Sequence, residues 1–324
     1  MAQAIMLREH GGPEVLKLEE IEVGDPPPGM VRIRQSAVGV NFHDCYVRSG
    51  LYDTLKLPGI PGLEAVGRVT ATGQGVTNIL VGERCAYFTA GYGAYASERL
   101  VHEDLVLRIP DSVDDRIAAA VLLKGLTASM LIHQVHAVGP GDTILIHAAA
   151  GGVGLLLSQW ANHQGATVIG TAGGRAKVEL AKAAGCDEAI DYTAEDFVAR
   201  VKDITEGKGV TVAYDSVGKD TFYGSMECLA DRGHLVNFGQ SSGPIDPMPV
   251  AMLSKGSYTL SRPMLFHYTN SRQHLVEMAE GLFQTLGSKV LRTDSPRAWP
   301  LADAAAAHRA LEARETVGAV ILTV

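Results

Sequence analysis

Cysteine is scarce in this sequence of 324 residues, which has only Cys45, Cys85, Cys186 and Cys228. The four are widely spaced and form no C-x-x-C pair, so we expect reduced thiols in a cytosolic chain. The opening residues lack a basic region followed by an apolar core and a small-residue cleavage site, so no secretory signal is indicated. These features predict a cytoplasmic protein.

The sequence also lacks an excess of basic residues and long apolar runs. Its 28 Lys and Arg against 36 Asp and Glu give a net charge of −8, which argues against binding to the phosphate backbone of nucleic acids. No apolar run reaches the roughly 18 residues needed to cross a bilayer, so membrane spanning is excluded. The composition, 46% hydrophobic, is too apolar for disorder.

The length predicts two domains, because 324 residues exceed what one hydrophobic core usually serves. The first stretch has short strand-like segments separated by Pro- and Gly-rich breakers, which indicates a mainly β domain. Near Asp111 the pattern changes, and a helical run follows from Arg116 to Val138. We place the change of domain in this region.

From Asp142 the pattern alternates between short apolar strands and helices. This alternation predicts a doubly wound parallel sheet of the α/β class. The six predicted strands are Thr143 to His147, Thr167 to Thr171, Glu188 to Asp191, Thr211 to Asp215, His234 to Phe238 and Ser257 to Ser261. The last run, from Val317 to Val324, is of strand type and is expected to return to the first domain.

The strongest chemical signal is a small-residue turn between a strand and a helix, which reads His-Ala-Ala-Ala-Gly-Gly-Val-Gly from His147 to Gly154. Backbone N–H groups at such a turn approach a pyrophosphate, and the helix N-terminus favours its charge. Ala149 replaces the first glycine of the G-x-G-x-x-G pattern. The βαβ context nevertheless indicates dinucleotide binding through Gly151, Gly152 and Val153.

The second strand identifies the expected cofactor. No carboxylate follows it to bind the ribose of NAD; the sequence instead continues through Gly173, Arg175 and Lys177. Small residues leave room for a 2′-phosphate that the two basic side chains neutralise, so NADPH is favoured. Tyr192 ends the third strand and either donates a hydroxyl or covers the adenine. Alternatively, Arg175 and Lys177 are ordinary solvated charges at the start of a helix.

Two further strand ends are expected along the cofactor crevice, since carboxyl ends of parallel strands line it in such sheets. The fourth strand ends at Asp215 to Gly218, which includes Ser216. The fifth ends at Phe238, Gly239 and Ser241. Alternatively, each of these segments is a plain strand-to-loop turn without a role in cofactor binding.

Several motifs resemble the zinc-free, zeta-crystallin-like quinone oxidoreductases of the medium-chain dehydrogenase/reductase superfamily. They are Gly11 to Leu16, Gly39 to Asp44, Lys124 to Thr127, His147 to Gly154, Tyr214 to Gly218 and Ser261 to Pro263. The resemblance implies a GroES-like catalytic domain, residues 1–122 completed by 266–324, around an inserted Rossmann domain, residues 123–265. It also implies bound NADPH and a homodimer.

The resemblance further implies an acceptor pocket with Asn41, Tyr46 and Tyr52 as catalytic residues. Asn41 and Thr127 are expected beside the nicotinamide, and Leu265 is expected among the cofactor-binding residues. In this role the tyrosines stack on a planar acceptor or donate a hydrogen bond to its carbonyl oxygen. Alternatively, the tyrosines only pack their rings, and Asn41 is only a turn residue.

No metal is expected, because zinc-dependent relatives have cysteine and histidine where this chain has Asn41 and Leu63, neither of which ligates zinc. A quinone is already electrophilic, so reduction by hydride transfer from NADPH is the favoured reaction. An NADPH-dependent reductase of alkenal or enone double bonds remains an alternative. A non-catalytic NADPH-binding protein with a structural or RNA-binding role is another, although the acidic charge argues against RNA.

Overall fold

The computed structural model describes residues 1–324. The strands are β1 Ala2–Leu7, β2 Leu16–Ile21, β3 Met30–Val40, β4 Glu64–Thr72, β5 Arg84–Phe88, β6 Glu98–His102, β7 Val106–Arg108, β8 Thr143–Ile146, β9 Thr167–Ala172, β10 Glu188–Asp191, β11 Val210–Asp215, β12 Leu229–Asn237, β13 Thr259–Ser261, β14 Arg297–Pro300 and β15 Val320–Thr323. The helices are α1 Phe42–Ser49, α2 Asp115–Met130, α3 Gly152–His163, α4 Arg175–Ala183, α5 Phe197–Ile204, α6 Phe222–Glu227, α7 Leu265–Tyr268, α8 Arg272–Gly287 and α9 Ala304–Glu312.

The chain forms two compact units. Unit 1 contains residues 1–126, 269–288 and 293–324, and unit 2 contains residues 127–268 and 289–292. The sequence places the corresponding boundaries at 122/123 and 265/266. Both ends of the chain therefore lie in one unit, and the other is formed mainly by one continuous segment.

Unit 2 is a six-stranded sheet in the order β10-β9-β8-β11-β12-β13, in which every neighbouring pair is parallel. The strands β8, β9 and β11 are apolar and almost wholly buried, as expected where helices cover both faces of a parallel sheet. The strand order reverses direction at β8 and β11, the topological switch point at which such sheets bind ligands. The predicted doubly wound sheet is confirmed.

Unit 1 is mainly antiparallel. Its seven-stranded sheet has the order β14-β15-β3-β4-β5-β7, with β6 paired to β3, and β1 and β2 form a separate antiparallel pair. The C-terminal strand β15 pairs with β3, Leu322 opposite Val38, so the end of the chain does return to the first domain's sheet. Helix α1 directly follows β3; the predicted site residue Asn41 is its N-cap, Tyr46 lies on it and Tyr52 follows it.

Several element boundaries differ from those the sequence predicts. The strand expected over Ser257–Ser261 begins only at Thr259, because Ser257 has a φ of 54°, outside the strand region. The fifth strand begins earlier, at Leu229 rather than His234, because a bulge in its pairing with β11 lets it continue past Gly233. The long run after Arg116 ends its regular helix at Met130 and closes with a π-helical turn, Leu131–Val135.

The expectation that no apolar run is long enough to cross a membrane is wrong for one helical stretch, Asp115–Val135, which qualifies by length and composition alone. In its most apolar window 72% of the residues are buried inside the structure. Such burial is typical of the core helix of a folded domain, so this stretch is weak support for a membrane span.

Candidate active site

The turn between β8 and α3 places backbone N–H groups at a helix N-terminus. Ala148 has a positive φ of 52°, and Gly151 is the N-cap residue with no side-chain cap. The N–H groups of Gly152, Val153 and Gly154 have no protein acceptor. A Cβ at Gly154 would lie 2.3 Å from the carbonyl oxygen of Ala148, so only glycine permits this close packing. The turn therefore fits a pyrophosphate group.

His147 opens this motif but does not point to a ligand. Its Nδ1 lies 2.9 Å from the hydroxyl of Thr171 and its Nε2 lies 2.8 Å from that of Ser225. The ring is buried, and burial lowers its pKa. The hydroxyl of Ser225 also donates to the carboxylate of Asp215 at 3.4 Å. The serine therefore lies between His147 and Asp215, and it is fully buried. This set therefore ties β8, β9 and α6 together and is not a nucleophilic triad.

The basic pair expected to bind a 2′-phosphate lies in the first turn of α4. Arg175 is exposed and Lys177 is half-buried. The phenol of Tyr192 lies against Gly173, where a Cβ would come within 2.6 Å of the hydroxyl oxygen. The structure therefore brings Gly173, Tyr192 and the start of α4 together at the carboxyl ends of β9 and β10.

A carboxylate that is not among the predicted site residues lies at the same place. Asp191 ends β10, and its Oδ1 accepts hydrogen bonds from the N–H groups of Gly174 and Thr193 and from the hydroxyl of Thr193. These donors lower its pKa. The carboxylate is thus engaged in holding the turn that precedes α4.

The ends of β11 and β12 also meet. The carboxylate of Asp215 accepts hydrogen bonds from the N–H groups of Val217 and Gly218, which fixes the loop that carries Ser216. A Cβ at Gly239 would lie 2.5 Å from the carbonyl oxygen of Ser216. The N–H of Ser241 donates to the same oxygen at 3.2 Å. Ser216, Gly239 and Ser241 form one wall, and Phe238 lies within it as a half-buried residue.

Arg262 supports this wall and was not among the predicted site residues. Its guanidinium hydrogen bonds to the side chain of Asn237 and to the carbonyl oxygen of Gly239, the latter at 2.9 Å. The signal for it was present in the sequence as the Ser261 to Pro263 motif. Thr127, a half-buried residue of α2, and Leu265, the buried first residue of α7, complete the predicted residues of unit 2.

In unit 1 the predicted residue Asn41 is held by a buried ion pair. Asn41 Nδ2 donates to Glu64 Oε1 at 2.9 Å, and the same oxygen lies 3.4 Å from Lys124 Nζ. Glu64 Oε2 accepts from the N–H of Leu123 at 2.7 Å. Asn41, Glu64 and Lys124 are all buried residues. Asn41 is also the N-cap residue of α1, in a capping box in which its own N–H donates to Asp44 Oδ2 at 2.8 Å.

The two predicted tyrosines lie side by side. The ring centroids of Tyr46 and Tyr52 are 5.0 Å apart at an edge-on angle of 61°. Tyr46 is buried on α1, and Tyr52 is half-buried just after that helix. The structure therefore brings Tyr46 and Tyr52 together near the N-cap residue Asn41, all within unit 1.

Comparison with known proteins connects both units to one family. Residues 27–111 match the alcohol dehydrogenase GroES-like domain, and residues 152–281 match the zinc-binding dehydrogenase domain. Quinone oxidoreductase of Pseudomonas aeruginosa is 44% identical, and 2-haloacrylate reductase of a Burkholderia species is 42% identical, each over 99% of both chains. The crystal structure of Escherichia coli quinone oxidoreductase complexed with NADPH has a TM-score of 0.97 at 41% identity and covers 100% of both chains.

The chain belongs to the quinone oxidoreductases of the medium-chain dehydrogenase/reductase superfamily. The predicted GroES-like and Rossmann architecture is thereby confirmed. One matching domain takes its description from zinc, yet in this member of the family no group of three or more His, Cys, Asp or Glu side chains is placed to hold a metal ion. That no metal is bound stays a prediction, which rests on the residue types of Asn41 and Leu63.

Proposed function

We propose that this chain is an NADPH-dependent quinone reductase that transfers hydride to a quinone without a metal ion. The observation that carries the proposal is the full-length similarity to quinone oxidoreductases at 42% to 44% identity. Within the structure, the uncapped N-terminus of α3 and the basic start of α4 support the cofactor assignment, because together they suit a dinucleotide with an additional phosphate.

NADPH supplies the hydride, and the protein binds, orients and shields both reactants. The N–H groups of Gly152 and Val153, beside Gly151, hold the pyrophosphate. Gly173 leaves space for the 2′-phosphate, Arg175 and Lys177 neutralise its charge, and Tyr192 covers the adenine. The remaining cofactor contacts are made by Asn41, Thr127, Ser216, Phe238, Gly239, Ser241 and Leu265.

The acceptor is held by the aromatic pair of unit 1. Tyr46 and Tyr52 present an edge-on pair of rings against which a planar quinone can stack. A tyrosine hydroxyl stabilises the oxygen of the acceptor as negative charge develops on it. Glu64 orients the side-chain amide of Asn41, which in this proposal lies beside the nicotinamide of the cofactor.

The test is NADPH oxidation by the purified protein with ortho-quinones, para-quinones and 2-alkenals as separate acceptors. We expect the highest kcat/KM with a quinone, and a preference for NADPH over NADH. Turnover with none of the quinones would contradict the proposal.

A reductase of activated double bonds is the second candidate, favoured by the similarity to 2-haloacrylate reductase. The chemistry differs in its product: a quinone gives a hydroquinone, whereas an enone or a haloacrylate gains hydrogen across its C=C bond. Identification of the product by mass spectrometry separates the two. A saturated product formed faster than any hydroquinone would favour this second function.

We also propose a cytoplasmic homodimer. All four cysteines are free buried thiols, which suits a reducing compartment. Strand β13 is at the edge of the sheet of unit 2, paired only with β12, and Leu260 on it is 37% exposed. An edge of this kind pairs with its own copy across a two-fold axis. Sedimentation at micromolar concentration tests this, and a monomer would contradict it.

A further inference from the structure

Helix α1 carries a histidine, His43, for which the proposed function has no use so far. We propose that His43 donates the proton that completes quinone reduction, and that Tyr92 and Thr54 refill it from solvent. This inference rests on the proposed function and gives its reaction a proton source.

The three side chains form a continuous hydrogen-bonded chain. His43 Nε2 lies 3.1 Å from the hydroxyl of Tyr92, and that hydroxyl also makes a short hydrogen bond with the hydroxyl of Thr54. Tyr92 is buried, His43 is half-buried and Thr54 is exposed. The chain therefore leads from solvent at Thr54 to the imidazole. Tyr92 has a φ of 53°, a conformation that aromatic residues rarely adopt, so the surrounding fold specifies its position.

The other ring nitrogen of His43, Nδ1, has no hydrogen-bond partner in the protein. If Thr54 donates to Tyr92 and Tyr92 donates to Nε2, the imidazole must carry its hydrogen on Nδ1. That N–H is the end of the chain and is available to an acceptor. The relay therefore needs an oxygen atom that the protein itself does not supply.

The aromatic contacts place this imidazole with the residues proposed to hold the quinone. The ring centroids of His43 and Tyr52 are 5.3 Å apart in an edge-on arrangement, and Tyr52 contacts Tyr46 in the same way. On its other side His43 stacks on Tyr92, with centroids 6.0 Å apart. One aromatic cluster thus contains both the acceptor surface and the relay.

The electrostatics suit a neutral relay. Burial lowers the pKa of His43 to about 4, so the imidazole is uncharged near neutral pH. Burial also raises the pKa of Tyr92, which keeps its hydroxyl protonated. The other titratable groups near the pair are Tyr52 and the buried Asp44. A neutral imidazole that loses a proton at one nitrogen while gaining one at the other never has to hold a net charge.

The overall step is balanced. The quinone gains a hydride, and thus two electrons, from NADPH, which is released as NADP⁺. The remaining quinol oxyanion takes the proton from Nδ1, so an O–H bond forms as the N–H bond breaks. Nε2 takes the proton of Tyr92, Tyr92 takes that of Thr54, and Thr54 takes one from water. The net reaction consumes one NADPH, one quinone and one solvent proton.

The test compares variants of the full-length protein with a para-quinone as acceptor. His43→Phe keeps an aromatic ring and removes the relay, and Tyr92→Phe removes only the hydroxyl. Tyr223→Phe is the matched control, because this tyrosine lies in unit 2, is 38% exposed and packs against Phe222. We expect kcat to fall about ten- to a hundredfold in His43→Phe, in the lower part of the range for general acid catalysis. The fall in kcat should be smaller in Tyr92→Phe, since water can reach Nε2 of His43.

Two readouts separate proton transfer from a structural role. Adding free imidazole should restore part of kcat in His43→Ala and leave the wild type unchanged. The solvent deuterium isotope effect on kcat should increase in Tyr92→Phe and stay at the wild-type value in Tyr223→Phe. Fluorescence titration should show that the His43 and Tyr92 variants bind NADPH with affinities within about twofold of that of the wild type.

The outcomes distinguish the relay from the function on which it rests. If the wild type reduces no quinone, the proposed function and the relay are both contradicted. If the wild type is active while His43→Phe and Tyr92→Phe keep its kcat and isotope effect, the relay alone is overturned. A loss of kcat without imidazole rescue and without any change of isotope effect also overturns it. Should His43→Phe fail to fold, Tyr92→Phe decides by the same criteria.

Discussion

His147 in unit 2 is buried and His43 in unit 1 is half-buried, and burial lowers the pKa of each. They differ in what their ring nitrogens contact. Both nitrogens of His147 are bound to hydroxyl groups of neighbouring elements. Only one nitrogen of His43 has a partner, the hydroxyl of Tyr92.

A lowered pKa alone therefore does not identify a functional histidine. A ring whose two nitrogens are satisfied has no remaining capacity for a ligand, and its hydrogen bonds stabilise the fold. A ring with one nitrogen unpaired in a shielded position keeps a donor or acceptor for a reaction.

Removing the imidazole at position 147 should strongly destabilise the protein. His147→Leu leaves the buried hydroxyl of Thr171 without its partner, so we expect the free energy of unfolding to fall by roughly 2–4 kcal/mol. Urea denaturation measures this. His43→Leu is the control and should lose about 1 kcal/mol or less, because only one hydrogen bond is removed, at a half-buried site. Equal losses would break the comparison.

In unit 2, the side chain predicted to read the cofactor is Lys177. Lys177→Ala should weaken NADPH binding by roughly 1.5–3 kcal/mol through loss of a charge-assisted phosphate contact, with little effect on NADH. Isothermal titration with each cofactor measures this. Lys182→Ala, an exposed lysine in the last turn of the same helix, should change neither affinity. Equal weakening for both cofactors would refute the phosphate role.

In unit 1, the aromatic partner of His43 should affect turnover more than cofactor binding. Tyr52→Phe keeps the ring and removes the hydroxyl, and we expect a fall in kcat below about a hundredfold, since one donor contributes at most roughly 2.7–4 kcal/mol. Tyr52→Ala should cost more because the stacking surface is also lost. Steady-state kinetics with several quinones measure both. Wild-type kcat and KM in both variants would remove Tyr52 from the site.

A buried acid next to His43 provides a pH test. Asp44 is fully buried and its pKa is raised to about 7, mainly by burial, although the N–H of Asn41 and the hydroxyl of Tyr95 oppose the shift. Because the folded state holds this proton more tightly than the unfolded state, the group stabilises the fold at low pH. That stability is lost as the pH rises from about 4 to about 7, by at most about 1.4 kcal/mol per pH unit.

The measurement is the difference in unfolding free energy between wild type and Asp44→Asn, taken by urea denaturation across this pH range. Wild type should lose stability relative to the variant as the pH rises. The lowered pKa values of His43 and His308, about 4 and about 3, act in the opposite direction. They are present in both proteins and cancel in the difference. A difference independent of pH would mean that Asp44 titrates normally.

Removal of metal ions should have no effect on activity. Treatment with a strong chelator should leave the quinone reductase activity unchanged, because Asn41 and Leu63 are not zinc ligands. Elemental analysis of the purified protein should find no stoichiometric zinc. One zinc per chain would refute the interpretation of these two positions.

The sequence by itself determined the alternation of strands and helices in unit 2 and the turn from His147 to Gly154. These are local features: the period of the apolar residues and the small residues at the turn act over a few positions. The sequence did not predict the order β10-β9-β8-β11-β12-β13, because the handedness of the crossovers alone does not fix which strands are neighbours. Exact strand ends were less predictable, since the bulge in β12 depends on its partner strand.

Only the tertiary structure decided which side chains meet across the chain. Tyr92 reaches His43 from 49 positions away, and His308 reaches Tyr95 across 213 positions. His147 has the place of a motif residue in the sequence, yet its contacts with Thr171 and Ser225 show a structural role. Whether a polar atom is satisfied depends on packing between distant segments, and no local pattern in the sequence encodes that packing.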